Sequence, residues 1–265
     1  SGLPVWFGQK NYRVASTISV PDSVQLIGSG GGSIISITAN DTILNLQGDN
    51  IQIQGLTLEG SSSGGAQTGI YIVGDVPLTL YRSNIKITNC IFKNFGYAGF
   101  RSYYVIGQYH EGGVQFSNCT AYGCAIGFFN DVRSEYSTYS NCVVYNCTIG
   151  WKNTGGNNNW TGGSVTDCTV GVDLESGTND GHAQMVGAKI NHNTTAVYVG
   201  SVANGYQFTA CTFAVGDISI ITATDIKFLG CEFLSIGTIT VTNCTRTEII
   251  DNRFSTNPTL TLTGT

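Results

Sequence analysis

The chain has 265 residues, of which 41% are hydrophobic and only 11% charged, and it carries 35 glycines and a formal charge of −5. So turn-rich and thinly charged a composition excludes a helix-dominated α/β enzyme, and twelve Lys plus Arg without a basic stripe exclude a phosphate-tracking nucleic-acid surface. No run approaches the roughly 20 apolar residues that a spanning helix needs, so no membrane insertion is expected.

In chain order, residues 1–17 read as a lead-in or N-terminal cap whose Val5, Trp6, Phe7 and Tyr12 offer apolar cover for an open β-end. Strand-like alternation starts at Ile18 and continues through Val24–Ile27, Ile34–Ile37, Ile43–Leu46 and Ile51–Leu58. One segment then recurs: Ile53-Gln-Gly-Leu56, Ile87-Thr-Asn-Cys90, Phe116-Ser-Asn-Cys119, Tyr139-Ser-Asn-Cys142, Phe208-Thr-Ala-Cys211, Phe228-Leu-Gly-Cys231 and Ile249-Ile-Asp-Asn252, with weaker copies around Gly163 and Ala188. A second series, Cys124, Cys147, Cys168 and Asn193, follows five residues behind, each opening another short apolar run. A period mostly in the low twenties, carried by strands in step and no helical pattern, predicts an all-β fold, a parallel β-solenoid whose coils stack like residues about 4.8 Å apart.

The nine cysteines fall mostly into those two columns, which predicts free thiols packed in stacked turns rather than disulfides; no CxxC pair marks zinc. Reduced thiols in odd number point to folding in a reducing cytoplasm. Asn-x-Ser/Thr triplets at Asn40, Asn118, Asn146, Asn159, Asn193 and Asn243 are read mainly as turn residues and not as glycosylation sites. The strand-like Thr259–Thr263 gives the solenoid the look of something cut from a longer chain.

Departures from the period over 60–81, 102–113, 130–139, 154–162, 177–182 and 199–206 predict loops leaving the cylinder between residues 60 and 206. Between them, alternation turns Phe100, Ile126, Phe128, Ile149, Trp151, Val170, Val172, Leu174 and Val197 inward. The residues in between form an outward column of Arg101, Phe129, Lys152, Asp173 and Tyr198, beside a second of Tyr103, Asp131, Thr154, Glu175 and Gly200. Tyr136, Tyr139, Asn157, Asn158, Asn159 and Trp160 on neighbouring loops are expected as walls.

Aromatic rings stack on sugar faces while charged and amide groups take the hydroxyls, so this mixture points to carbohydrate. Arg101, Tyr103, Phe129, Lys152, Tyr198 and Trp160 are the expected binding residues, and Asp131, Glu175 and Asp173 the expected catalytic carboxylates. Asp131 and Glu175, two coils apart at about 9.6 Å between backbones, match the carboxyl spacing of inverting glycosidases, about 6.5–9.5 Å. Ordinary solvated side chains, with Lys152 bridging Asp173, are the plain alternative. A lyase would draw its base from Lys152, Arg101 or Tyr198. His110-Glu111 and Asp180 with His182 are read as loop residues; no metal site and no cofactor are expected.

The run Val20-Pro21, Val24, Leu26, Gly28 and Gly30 resembles the start of pectate-lyase-like right-handed parallel β-helices. The low lysine content and Ser/Thr/Asn-rich coils further resemble bacteriophage tailspike proteins. The resemblance covers residues 18–263 and implies a single-stranded right-handed parallel β-helix of about ten coils, filling a domain over residues 18–265. It also implies a homotrimeric receptor-binding protein of the virion tail whose partner is a bacterial cell-surface polysaccharide, recognised and, with its carboxylates, hydrolysed. A non-enzymatic adhesin or tail-fibre module and a polysaccharide lyase or epimerase stand as the alternatives.

Overall fold

A computed structural model describes residues 4–61, 65–74, 83–104, 113–131, 134–175, 182–200 and 203–264. These form three sheets of eleven strands, every neighbouring pair parallel and every third strand in sequence adjacent in space. One strand per sheet per coil makes eleven coils. Val5–Phe7 and Lys10–Val14 pair with Gln25–Gly28 and Ser33–Ile37, so the solenoid begins ahead of residue 18.

The interior is built of columns. In the first sheet Ile53, Ile87, Phe116, Tyr139, Trp160, Met185, Phe208 and Phe228 stand in register, one per coil. Phe116 and Tyr139 stack with centroids 4.9 Å apart, Tyr139 and Trp160 at 5.1 Å, and Phe208 and Phe228 at 4.9 Å. Stacked rings add about 0.5–1.5 kcal/mol per pair beyond the burial of their area. Cys90, Cys119 and Cys142 occupy the next column at no more than 1% exposure. All nine cysteines are free thiols. Side chains in a parallel column sit a strand spacing apart, about 4.8 Å, whereas a disulfide draws its Cβ atoms to about 3.8 Å.

From the third coil onward, each coil turns from the first to the second sheet through a left-handed residue: Gly55, Asn89, Asn118, Asn141, Gly162, Gly187, Ala210, Gly230 and Asp251 all have φ between +51° and +66°. Glycine and asparagine tolerate that region best, which explains the recurring Asn and Gly before the column position. The backbone, rather than a side-chain ladder, is therefore what the turn asparagines serve. Asn193 and Asn252 replace the thiol in its column by bridging to the previous coil. Asn193 Oδ1 accepts from the Cys168 amide at 2.9 Å and its Nδ2 donates to the Val165 carbonyl at 3.1 Å; Asn252 repeats both contacts with Cys231 and Phe228.

Apart from 60–67, which join the second sheet to the third, the departures from the period share one corner, the passage from the third sheet back to the first. Thr68–Gly74, Ala98–Tyr104, Ile126–Asn130, Ile149–Asn153, Val170–Leu174 and Thr195–Val199 each end there. From Gly216–Ile221 onward the same passage tightens to two residues. The insertions at this corner thus all join the third sheet to the first, over six consecutive coils. His110, Glu111 and Asp180 lie outside the described residues.

Three interior assignments, Ile126, Ile149 and Val170, differ from the alternation. Ile126 packs outside the cylinder with Ala98, Phe129, Tyr97 and Ile149, and Val170 is half-buried outside the core. The cause is the glycine that follows each of them: Gly127, Gly150 and Gly171 face inward, and a Cβ on Gly150 would come within 2.3 Å of Val165 Cγ1 and 2.5 Å of the Gly171 carbonyl oxygen. Two successive inward residues at this bend shift the phase of everything before it.

Candidate functional site

The outer face of the third sheet carries the expected column in register: Arg101 pairs with Phe129, Phe129 with Lys152, Lys152 with Asp173 and Asp173 with Tyr198. The column extends one coil further than expected, to Tyr71 beside Arg101. The signal was present, since Gly69-Ile-Tyr71 repeats the glycine-apolar-outward pattern of Gly99-Phe-Arg101 and Gly150-Trp-Lys152. The second column continues the ladder at the corner, with Asp131, Thr154, Glu175 and Gly200 donating their amides to carbonyls one coil back.

Two ion clusters divide the face. In the first, Arg101 Nε and Nη2 both donate to Asp131 Oδ2, at 3.0 and 2.6 Å. Around the guanidinium lie the rings of Tyr71, Tyr97, Tyr103 and Phe129, with centroids 5.1–5.7 Å from its central carbon. Burial works against the guanidinium's charge, but Asp131 and the surrounding tyrosines outweigh it and hold Arg101 above its ordinary pKa.

In the second cluster Lys152 Nζ donates to Asp173 Oδ2 at 3.0 Å and to Glu175 Oε2 at 2.8 Å. Burial would lower the lysine's pKa; Glu175 and Asp173 overturn that and leave it raised, so the ammonium keeps its proton at neutral pH. Asp173 is itself pushed up by desolvation, against the pull of Lys152, and its buried Oδ1 has no hydrogen-bond partner. Glu175 is the exposed member, with 42% of its side chain accessible. A Cβ on Gly200 would come within 3.1 Å of both Glu175 Cγ and Tyr198 Cε1, so the glycine lets those two side chains close over it.

The expected acid–base pair is thereby split: Asp131 belongs to Arg101, and Glu175 shares Lys152 with Asp173. Because Asp173 and Glu175 bind one nitrogen at 3.0 and 2.8 Å, their engaged oxygens lie less than 6 Å apart. Carboxyl groups about 5–5.5 Å apart are the spacing of retaining glycosidases, and inverting ones need about 6.5–9.5 Å.

Two expected binding residues are too buried to meet a ligand. Trp160 is fully buried in the first sheet's aromatic column, with its indole N–H on the Gly162 carbonyl at 2.8 Å, so it offers nothing to a ligand. Asn158–Thr161 is a strand, not a loop, and its spacing from Tyr139 and Met185 equals the repeat. Phe129 is only 5% exposed beneath Arg101 and Lys152, and it serves as a ring for cations rather than a platform for sugar. Tyr139 and Asn158 are likewise buried, while Tyr136, Asn157 and Asn159 line a separate cleft with His182.

Under the face, the third sheet's inner column turns polar at Ser102, Asn130 and Asn153, all fully buried. Asn130 Oδ1 accepts from Tyr139 Oη at 2.7 Å and Trp151 Nε1 at 3.2 Å, and its Nδ2 donates to Ser134 Oγ at 3.2 Å. Asn158 Nδ2 donates to the Ser134 carbonyl at 2.8 Å and to Asn153 Oδ1 at 2.7 Å. This network fixes the chain on both sides of Asp131 from within. Among the described residues no group of three or more His, Cys, Asp and Glu is placed to hold a metal ion.

The A-module of the mannuronan C-5 epimerase AlgE6 from Azotobacter vinelandii superposes with a TM-score of 0.61 at 15% identity, covering 99% of this chain and 90% of that one. The fold is a right-handed parallel β-helix. The Dettilon tailspike protein matches with a TM-score of 0.62 at 12% identity over 97% of this chain and 61% of its own. The tailspike of Acinetobacter phage vB_ApiP_P1 gives 0.52 at 14% identity over 91% and 52%. No protein-family model and no curated protein matches the chain in sequence.

Proposed function

We propose that this β-helix is a tailspike-like receptor-binding domain that recognises a bacterial surface polysaccharide along the outer face of its third sheet. One observation carries the reading. In a chain with 11% charged residues, six consecutive coils place Arg101, Lys152, Asp131, Asp173 and Glu175 with four tyrosines on one face, where the third sheet passes back to the first. Tyr71, Tyr97, Tyr103 and Tyr198 are half-buried and supply ring surface, while the ion clusters supply fixed donors and acceptors for hydroxyls. Tailspikes and a polysaccharide epimerase among the structures of like fold support the substrate class.

Hydrolysis is the enzymatic extension of the same reading. Asp173, whose pKa is raised by burial, is the acid, and Glu175, more exposed and less than 6 Å away, is the nucleophile of a retaining mechanism. A lyase using Lys152 as base is disfavoured, because two carboxylates keep that amine protonated. The assembly in which it acts is a homotrimer on a virion tail. Incubation with purified O-antigen and capsular polysaccharides, read by chain length, tests the reading: shortening without absorbance of an unsaturated uronate supports the hydrolase. Retention of one polysaccharide without shortening leaves the adhesin, and retention of none refutes polysaccharide recognition.

A further inference from the structure

Beside the column, Thr42, Ala66, Thr68, Tyr71, Tyr97 and Arg101 line a cleft of about 240 Å³. At ~30 Å³ per water this is the space of about eight waters, the size of one hexose ring rather than a chain. We infer that this cleft is a one-sugar subsite that grips two adjacent hydroxyls of a neutral pyranose, and so reads one defined unit of the polysaccharide; the inference rests on the polysaccharide reading of the same face.

Three observations lead there. Arg101 spends one edge of its fork, Nε and Nη2, on Asp131, and among the described residues the Nη1–Nη2 edge makes no hydrogen bond. Two parallel N–H groups on that edge match two oxygens a bond length or two apart, as in a carboxylate or a vicinal diol. Tyr71 and Tyr97 are held by the same guanidinium, at 5.5 and 5.1 Å, so ring walls and donors are positioned before any ligand arrives.

Charge decides between the two ligand chemistries. The guanidinium is already paired with Asp131 at 2.6 Å, and Asp41, which accepts from the Thr42 amide at 2.8 Å, adds a second carboxylate next to a lining residue. An entering carboxylate would meet, among the described lining residues, only a cation already paired and one carboxylate on the same fork. A diol carries no such repulsion and uses the Thr42 hydroxyl as well. The close Arg101–Asp131 contact therefore acts as a selectivity device, retaining the donors of arginine while cancelling its attraction for acidic sugars.

The test uses methyl α-glycosides of glucose, galactose, mannose and rhamnose, with methyl glucuronide as the acidic control, titrated by NMR into the wild-type chain. At least one neutral glycoside should bind with Kd of about 1–10 mM, the range of a single-ring ligand. Its deoxy analogue lacking one of two adjacent hydroxyls should bind at least tenfold more weakly. Arg101→Lys retains a charge for Asp131 but not the fork, and should lose the glycoside by a similar factor. Ala66→Trp fills the mouth of the cleft and leaves the Lys152 cluster untouched, and should abolish glycoside binding. Preference for the glucuronide, no binding by any neutral glycoside, or binding that survives Ala66→Trp would overturn the inference. If Lys152→Ala removes polysaccharide binding while Ala66→Trp has no effect on it, the subsite fails and the polysaccharide reading stands; if no variant changes polysaccharide binding, that reading fails too.

Discussion

Replacing Lys152 by Met retains the side chain's stem over Phe129 and removes the ammonium that holds Asp173 and Glu175. The two legs differ in worth. Glu175 is 42% exposed, so its contact is screened and contributes under ~1 kcal/mol. Lys152 and Asp173 have side-chain exposures of 18% and 8%, and stripping one partner from a well-buried pair costs about 3–5 kcal/mol; the residual exposure brings the expectation to about 2–3 kcal/mol at pH 7. The loss is pH-dependent, with a determined sign. Asp173 has a folded pKa above its unfolded value, so its charge opposes folding once the pH exceeds the ordinary carboxylate range, and removing Lys152 raises that pKa further. The variant should regain stability as the pH falls toward about 4, through the raised folded pKa, where the native carboxyl takes up its proton. Urea unfolding of both proteins from pH 4 to 8 measures this, and Lys152→Met combined with Asp173→Asn should recover most of the loss at pH 7. An equal deficit at every pH, or a double variant no better than the single one, would refute the account of Asp173 as a buried acid dependent on this lysine.

Asp173→Asn and Glu175→Gln should each lower depolymerase turnover by about 100-fold or more with polysaccharide affinity little changed, the scale of removing an acid or nucleophile; Asp131→Asn should alter affinity through Arg101 more than turnover. Gly150→Val would drive a branched side chain into Val165 and the Gly171 carbonyl, and should give insoluble protein or a loss of about 3 kcal/mol by thermal unfolding. Ala210 has φ +51° in the left-handed column that other coils fill with Asn, Gly or Asp; Ala210→Gly should raise stability by up to ~1 kcal/mol. Thiol titration should find no fast-reacting buried cysteine in the native protein and nine thiols after unfolding, whereas three or more disulfides would contradict the packed columns. Sedimentation at several concentrations should show a trimer if the assembly proposed above forms.

The repeat made much of the site legible without a structure. In-register parallel stacking admits one residue per column per coil, so positions a period apart must be neighbours; Arg101, Phe129, Lys152, Asp173 and Tyr198 could be aligned from spacing alone, as could the thiol columns. The same rule places Trp160 with Tyr139 and Met185, although the glycine and asparagine content of Thr154–Gly162 reads as loop. What spacing cannot supply is where the backbone bends out of alternation. The inward turn of Gly127, Gly150 and Gly171 sent Ile126 and Ile149 outside and Val170 to the half-buried surface, because facing depends on the local path of the chain and not on the order of apolar and polar residues. Nor does a column specify which neighbour a long charged side chain reaches. Arg101 could turn along the axis or across to the next column, and only packing among Tyr71, Tyr97, Tyr103 and Phe129 aims it at Asp131 and leaves Glu175 to Lys152 with Asp173. Periodicity determined the columns of this protein, while pairing within them was decided by side-chain conformations that exist only once the coils are stacked.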